Sequence, residues 1–138
     1  MFLKNKYTKW YFNIINNRLT TPIEGFIESH HIIPKSIGGS ELQDNKVNLT
    51  PREHFVCHLL LVKMLSGVNK NKMIFAISLM SKCHGDRIKS SRIFQFIRES
   101  EANIRRGIPR SEKTRSLISK AHKGKKLSKD HRQKLSES

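Results

Sequence analysis

Residues 50–53 read Thr-Pro-Arg-Glu and are followed by HFVCHLLLVKML. No stretch of the chain restricts the fold more tightly. Thr50 offers an N-cap hydroxyl. Pro51 suits the first helical position, where its missing N–H costs nothing. Glu53, three residues past the cap, can reach back to the cap's own N–H. The pattern predicts a helix from Pro51 to about Ser66, stopped by Gly67. That run is apolar on most sides, so the helix belongs inside the fold and the rest is built around it. His54 and His58 lie four residues apart on it, which stacks their imidazoles on one face.

Shorter elements surround this helix. In KYTKWYFNIINNR (residues 6–18), Tyr7, Trp10, Tyr11, Ile14 and Ile15 recur at helical spacing and form an apolar stripe. TTPIEG breaks that pattern. FIESHHIIP is short, β-branched and closed by proline, so it reads as a strand. KSIGGSELQDN is a loop turning at Gly38-Gly39, and KVNL is a second short strand that closes a hairpin with the first. Residues 70–83 read as a helix ended by HGDR. Residues 91–106 read as another, with Ile93, Phe96, Ile97 and Ile104 on one stripe and Gly107 as its stop. Cys57 and Cys83 fall in apolar helical pattern and read as small buried hydrophobes, not as a disulfide framework. One hairpin among several helices makes the class α+β.

Charge narrows the function. The chain carries 27 Lys and Arg against 11 Asp and Glu, a formal net charge of +16, with only 36% apolar residues. A surplus of that size favours a polyanionic partner. Nucleic acid is the first reading, an anionic membrane surface the second. The apolar stretch MIFAISLM (residues 73–80) is too short to span a bilayer, and MFLKNKYTKW lacks the apolar run of a signal peptide. The expectation is a soluble cytoplasmic protein with no membrane role.

From Gly107 onward the composition shifts. Residues 107–138 hold ten Lys and Arg against three Asp and Glu, and few apolar residues. GIPRSEKTRSLIS, from Gly107, aligns with GKKLSKDHRQKLS, from Gly124, at an offset of 17. Each unit reads as a glycine, a basic extended step, a serine N-cap and a short basic helix. Neither can bury a core alone. His84 and His122, near helix ends, read as favourable to the helix dipole, and His131 as solvent-facing.

The histidines carry the chemistry. A divalent transition metal takes imidazole nitrogens at roughly 2 Å, and His54 with His58 gives it two. His30 and His31, on the strand before the loop, offer a third. Side chains of adjacent strand residues point to opposite faces, so if His30 turns toward a metal, His31 turns away from it. A neighbouring imidazole that is not a ligand can serve as general base, since its ordinary pKa of roughly 6.5 suits proton abstraction near neutrality. Cys57 adjoins His58, and the two diverge by roughly 100° around the helix, so they do not easily share one ion. Three protein ligands leave a coordination position open, as in catalytic sites.

ESHHIIPKSIGGSELQDNKVNLTPREHFVCH (residues 28–58) resembles the ββα-metal motif of HNH endonucleases. It is most similar to the variety with paired histidines and a helical H-x-x-x-H found in colicin-type nuclease domains and phage homing endonucleases. The resemblance implies His30, His54 and His58 as metal ligands and His31 as general base. It implies a middle asparagine that braces the loop. Asn45, nine residues before His54, resembles it, and Asn48, in Asn48-Leu49, is a rival for the role. Glu28 matches an acidic residue that orients a histidine or a basic side chain.

The implied reaction is hydrolysis of double-stranded DNA to 5′-phosphate and 3′-hydroxyl ends, rising in rate with pH as the histidines lose protons. The implied cofactor is one divalent ion: zinc, nickel or cobalt by ligand type, or magnesium by chemistry. Residues 107–138 resemble the nuclease-associated modular repeats of homing endonucleases. This implies DNA contacts from Arg110, Lys113, Arg115, Lys120, Lys123, Lys125, Lys126, Lys129 and Arg132. Residues 1–105 would then be an HNH nuclease domain with its motif core at 28–66, and residues 106–138 a DNA-binding repeat tail. A phage-encoded protein of this kind works in the host cytoplasm, and a homodimer would be able to cut both strands. The rival reading is a non-catalytic DNA-binding protein with a structural metal. A basic RNA-binding protein fits the charge but not the spacings.

Overall fold

The computed structural model describes residues 2–83, 90–126 and 128–137, with the backbone alone for Cys83. Helix α1 is Lys6–Thr20, strand β1 Glu28–His31, strand β2 Lys46–Leu49, and helix α2 Pro51–Met64. Helices α3 (Gly67–Cys83), α4 (Ser91–Arg105), α5 (Glu112–His122) and α6 (Lys129–Ser136) follow. Two strands among six helices, over the described residues, make the class α+β. It divides into two compact units, Met1–Arg106 and Gly107–Ser138.

In the first unit β1 and β2 pair antiparallel in the register Glu28↔Leu49, Ser29↔Asn48, His30↔Val47 and His31↔Lys46. Strand alternation sends His30 inward with Val47, and both are buried. The core runs from Tyr11 and Ile15 of α1, through Val47 and Leu49, to Cys57, Leu60, Leu61 and Met64 of α2. It continues into Met73 and Ile77 of α3 and Ile97 of α4. Cys57 is a free thiol, and burial pushes its pKa up to about 12, so it packs as a small hydrophobe.

The cap at α2 forms as its residues dictate. The Thr50 side chain accepts from the Glu53 N–H, and Glu53 accepts from the Thr50 N–H at 3.1 Å. The C-terminus departs from expectation. Gly67 does not stop α2; it opens α3, which begins three residues earlier than the pattern suggested. Instead, α2 ends at Met64 with Leu65 extended. Its last carbonyls are taken by the N-terminal segment: Leu3 N–H donates to Met64 O at 2.9 Å, and the Asn5 amide to Lys63 O at 3.2 Å. A tertiary cap replaces the glycine. The same Asn5 side chain accepts from Tyr7 and Thr8 N–H and starts α1.

Three other expectations shift. The loop between the strands contains two short 3₁₀ turns, Lys35–Ile37 and Gln43–Asn45. Trp10 is not core: it stays half exposed, edge-on to Tyr7, with the Lys6 ammonium over both rings. Helix α1 continues two residues past Arg18. The expected helix end at HGDR, the reading of His84 and the burial of the Cys83 side chain lie outside the described residues.

Helix α4 starts on a Ser90 cap and presents Ile97 to the core. Buried Glu101, on the same helix, accepts from Ser78 Oγ at 2.5 Å and pairs with Lys82 and Arg105. The Ser78 hydroxyl, then Lys82 and Arg105, lower its carboxyl from 4.5 to about 2. Its folded pKa lies below its unfolded one, so the stabilisation is present above pH 4.5 and is lost as pH falls toward 2. Glu101→Gln should cost about 2 kcal/mol at pH 7 and much less at pH 3. Urea unfolding at the two pH values measures both; equal losses would remove this account.

In the second unit Gly107 and Gly124 both take positive φ, 78° and 79°. Ser111 and Ser128, each four residues on, accept from the N–H of Thr114 and of His131, and α5 and α6 follow. Neither helix buries a residue.

Candidate metal centre

His30 arrives from β1, and His54 and His58 from successive turns of α2. A nitrogen from each lies within 4.8 Å of the other two, the one such group among the described residues. His54 Nδ1 is 2.6 Å from Glu28 Oε2. A carboxylate only accepts, so Nδ1 carries the proton and Nε2 presents a lone pair. That Nε2 stands 3.2 Å from His58 Nε2. Two ligands on a tetrahedral zinc, each at roughly 2.0–2.1 Å, are separated by roughly 3.3–3.4 Å. The donor set and its spacing fit a shared cation.

His30 is held by a group the sequence did not single out. Tyr11 Oη donates its one proton to Ile32 O at 2.7 Å and lies 3.0 Å from His30 Nε2. Nε2 must then be the donor, which leaves the lone pair of His30 on Nδ1. Burial pushes the phenol of Tyr11 upward, so it keeps that proton. Burial, then the imidazoles of His58, His54 and His31, push His30 down to about 2, so the ring is neutral at physiological pH. On an amphipathic stripe Tyr11 reads as core; only its hydroxyl betrays a second use.

His31 stands outside the triad yet lines the same cavity, with Ser29, Pro34 and Lys35. Its Nε2 is 3.4 Å from Glu41 Oε2. Its backbone is fixed from below. Asn45 O accepts from Ile32 N–H, the Asn45 side chain accepts from Ile33 N–H at 2.8 Å, and its amide donates to Ile33 O and Ser40 O. Asn45, not the exposed Asn48 on β2, makes these bonds. Gly39 completes the brace. A β-carbon there would sit 1.7 Å from Ile33 O, so no side chain fits.

The start of α2, which carries both helical histidines, is tied to α1. Arg18 reaches both oxygens of Glu53, Nε at 2.9 and 3.0 Å. Burial opposes ionisation of Glu53, but Arg18 and Thr50 outweigh it and hold the carboxyl below its ordinary value. Nothing in the periodicity of either helix pointed to this pair.

The cations assigned to the tail, from Arg110 to Arg132, all lie on exposed residues. No helix among the described residues is long and apolar enough to cross a membrane.

No family model matches the chain, and no solved structure does. Curated relatives do. The chain is 33% identical over 120 residues to "Probable mobile endonuclease E" of Enterobacteria phage T4, covering 83% of each. It is 33% identical over 135 residues to "Probable mobile endonuclease C" of the same phage, covering 95% of this chain and 62% of that protein. It is 36% identical over 108 residues to "Probable mobile endonuclease D", covering 71% of this chain and 41% of that protein. A triad of imidazoles beside a fourth is thus found in a chain that shares most of its length with the first of these, and the protein belongs to the phage mobile endonuclease family.

Proposed function

We propose that this protein is a metal-dependent DNA endonuclease of the HNH type, hydrolysing phosphodiester bonds to 5′-phosphate and 3′-hydroxyl ends. One observation carries the reading: three imidazoles from a hairpin and a buried helix converge, and His31 lines their cavity without joining them. A structural zinc would want four protein ligands. Among the described residues the group has three, and Cys57 is buried as a neutral thiol outside it, which argues against a metal that serves only as a staple.

His30, through Nδ1, and His54 and His58, through Nε2, would hold the ion. A divalent cation there supplies positive charge against the phosphate oxygens as charge builds in the transition state. Tyr11 and Glu28 keep the lone pairs of His30 and His54 aimed inward. His31 takes a proton from a water, whose oxygen then attacks phosphorus as the bond to the 3′ oxygen breaks, and that departing oxygen takes up a proton from solvent to become the hydroxyl. Asn45 fixes the backbone beneath His31. The cations of α5, α6 and their flanking segments contact DNA phosphates and set register, without reading bases.

The direct test is plasmid nicking with magnesium, manganese, zinc, nickel and cobalt in turn, alongside metal analysis of the purified protein. Conversion of supercoiled to nicked DNA should require an ion, stop with chelator, and leave ends that a ligase reseals. A tightly bound ion with no cleavage under any condition would favour the non-catalytic DNA-binding reading.

Tyr11→Phe should weaken metal retention by about 10–100-fold, because His30 loses the acceptor that fixes its tautomer. Equilibrium dialysis against a competing chelator measures this independently of cleavage. Unchanged affinity would mean that Tyr11 only packs.

A further inference from the structure

The cavity beside the histidines has a second cluster on its rim, formed around Glu41. The Glu41 carboxylate pairs with Lys35 through one oxygen. Through the other it meets Lys46 Nζ at 3.0 Å and His31 Nε2 at 3.4 Å. Lys35 comes from the loop after β1, and Lys46 opens β2 directly opposite His31. Lys35 and His31 line the same cavity as His30, His54 and His58.

This arrangement does little for stability. The Glu41 side chain is 54% exposed and that of Lys35 60% exposed, and exposed ion pairs contribute almost nothing to folding. Nor does it look built to orient His31: the contact is long, and the same oxygen lies closer to Lys46. Two ammonium groups and an imidazole N–H converging on one anionic group describe an anion site. It happens to be filled from within.

We propose that Lys35, Lys46 and His31 form a subsite for a backbone phosphate of the substrate strand, and that Glu41 occupies it until DNA displaces it. This rests on the nuclease reading above. An incoming phosphate carries the same charge as Glu41 and the same hydrogen-bonding capacity, so the two cannot share the three donors at short range. On displacement the phosphate takes over the His31 Nε2–H that Glu41 had accepted, and the strand is seated beside the triad. Glu41 is exposed and lies outside the core, so turning its side chain away uncovers no apolar surface there.

The test uses the full-length protein with a fluorescent DNA duplex in chelator, and plasmid nicking in the ion that supports it. Glu41→Gln should tighten duplex binding and lower KM by about threefold to tenfold, with kcat held within about twofold. Lys35→Ala and Lys46→Ala should each weaken both by a similar factor. Glu41→Gln should add nothing once both lysines are gone.

Asp44→Asn, an exposed change on the same loop, alters net charge equally. It should have less than half the effect of Glu41→Gln. If the two match, overall charge explains the result and the subsite is withdrawn. If Glu41→Gln lowers kcat at constant KM, Glu41 orients His31 and is not a placeholder, which also overturns the proposal. Inorganic phosphate should compete with duplex more strongly in Glu41→Gln than in the parent. No competition would mean that the site recognises no phosphate. Failure of nicking in every variant would sink the nuclease reading alone, since the binding arm runs without metal.

Discussion

His31→Ala should slow plasmid nicking by about 10²–10⁴-fold, the contribution of a positioned general base. Metal content and unfolding midpoint should stay as in the parent, and duplex affinity should fall no more than about threefold. The structure gives the reason for the separation. His31 is 28% exposed, packs into no core, and stands outside the group of His30, His54 and His58. Removing it opens no cavity and leaves Asn45 still bonded to Ile32 and Ile33. Loss of fold or metal along with activity would recast His31 as structural.

Deleting residues 107–138 should flatten the salt dependence of duplex binding. Each phosphate neutralised adds about 0.9 to the slope of log affinity against log salt. If half of the nine tail cations from Arg110 to Arg132 make such contacts, the slope drops by about 4, and affinity at low salt falls steeply with it. The thermal midpoint of the remaining unit should hold, because neither α5 nor α6 buries a residue. An unchanged slope would assign the tail some purpose other than gripping the strand.

Much of this was legible in the residues. Thr50, Pro51 and Glu53 announced α2, because a capping box is a local device whose partners lie three residues apart. Period-two alternation separated His30 from His31, and the four-residue spacing of His54 and His58 put them on one face. What escaped was tertiary. No local pattern tells that Leu3 and Asn5 will cap α2 and make Gly67 available to start α3. Tyr11 sat in an apolar stripe, where a phenol and a phenylalanine look alike until the hydroxyl finds His30 and Ile32. Arg18 and Glu53, and the partners of Glu41, are likewise pairs brought together by folding, and charge in a loop or on a helix face does not say what it will meet.

The brace of Gly39 and Asn45 has one more consequence. It grips the loop at its two ends: Gly39 against Ile33 O, Asn45 against Ile33 and Ser40. The stretch between them, Ser40 to Asp44, hangs from these anchors with its side chains turned outward. Substitutions there can retune what the rim repels or admits without shifting the His31 imidazole. Tolerance and precision are thus partitioned along seven residues: evolution can experiment at positions 41 and 42, while drift at 39 or 45 would misalign the backbone beneath His31.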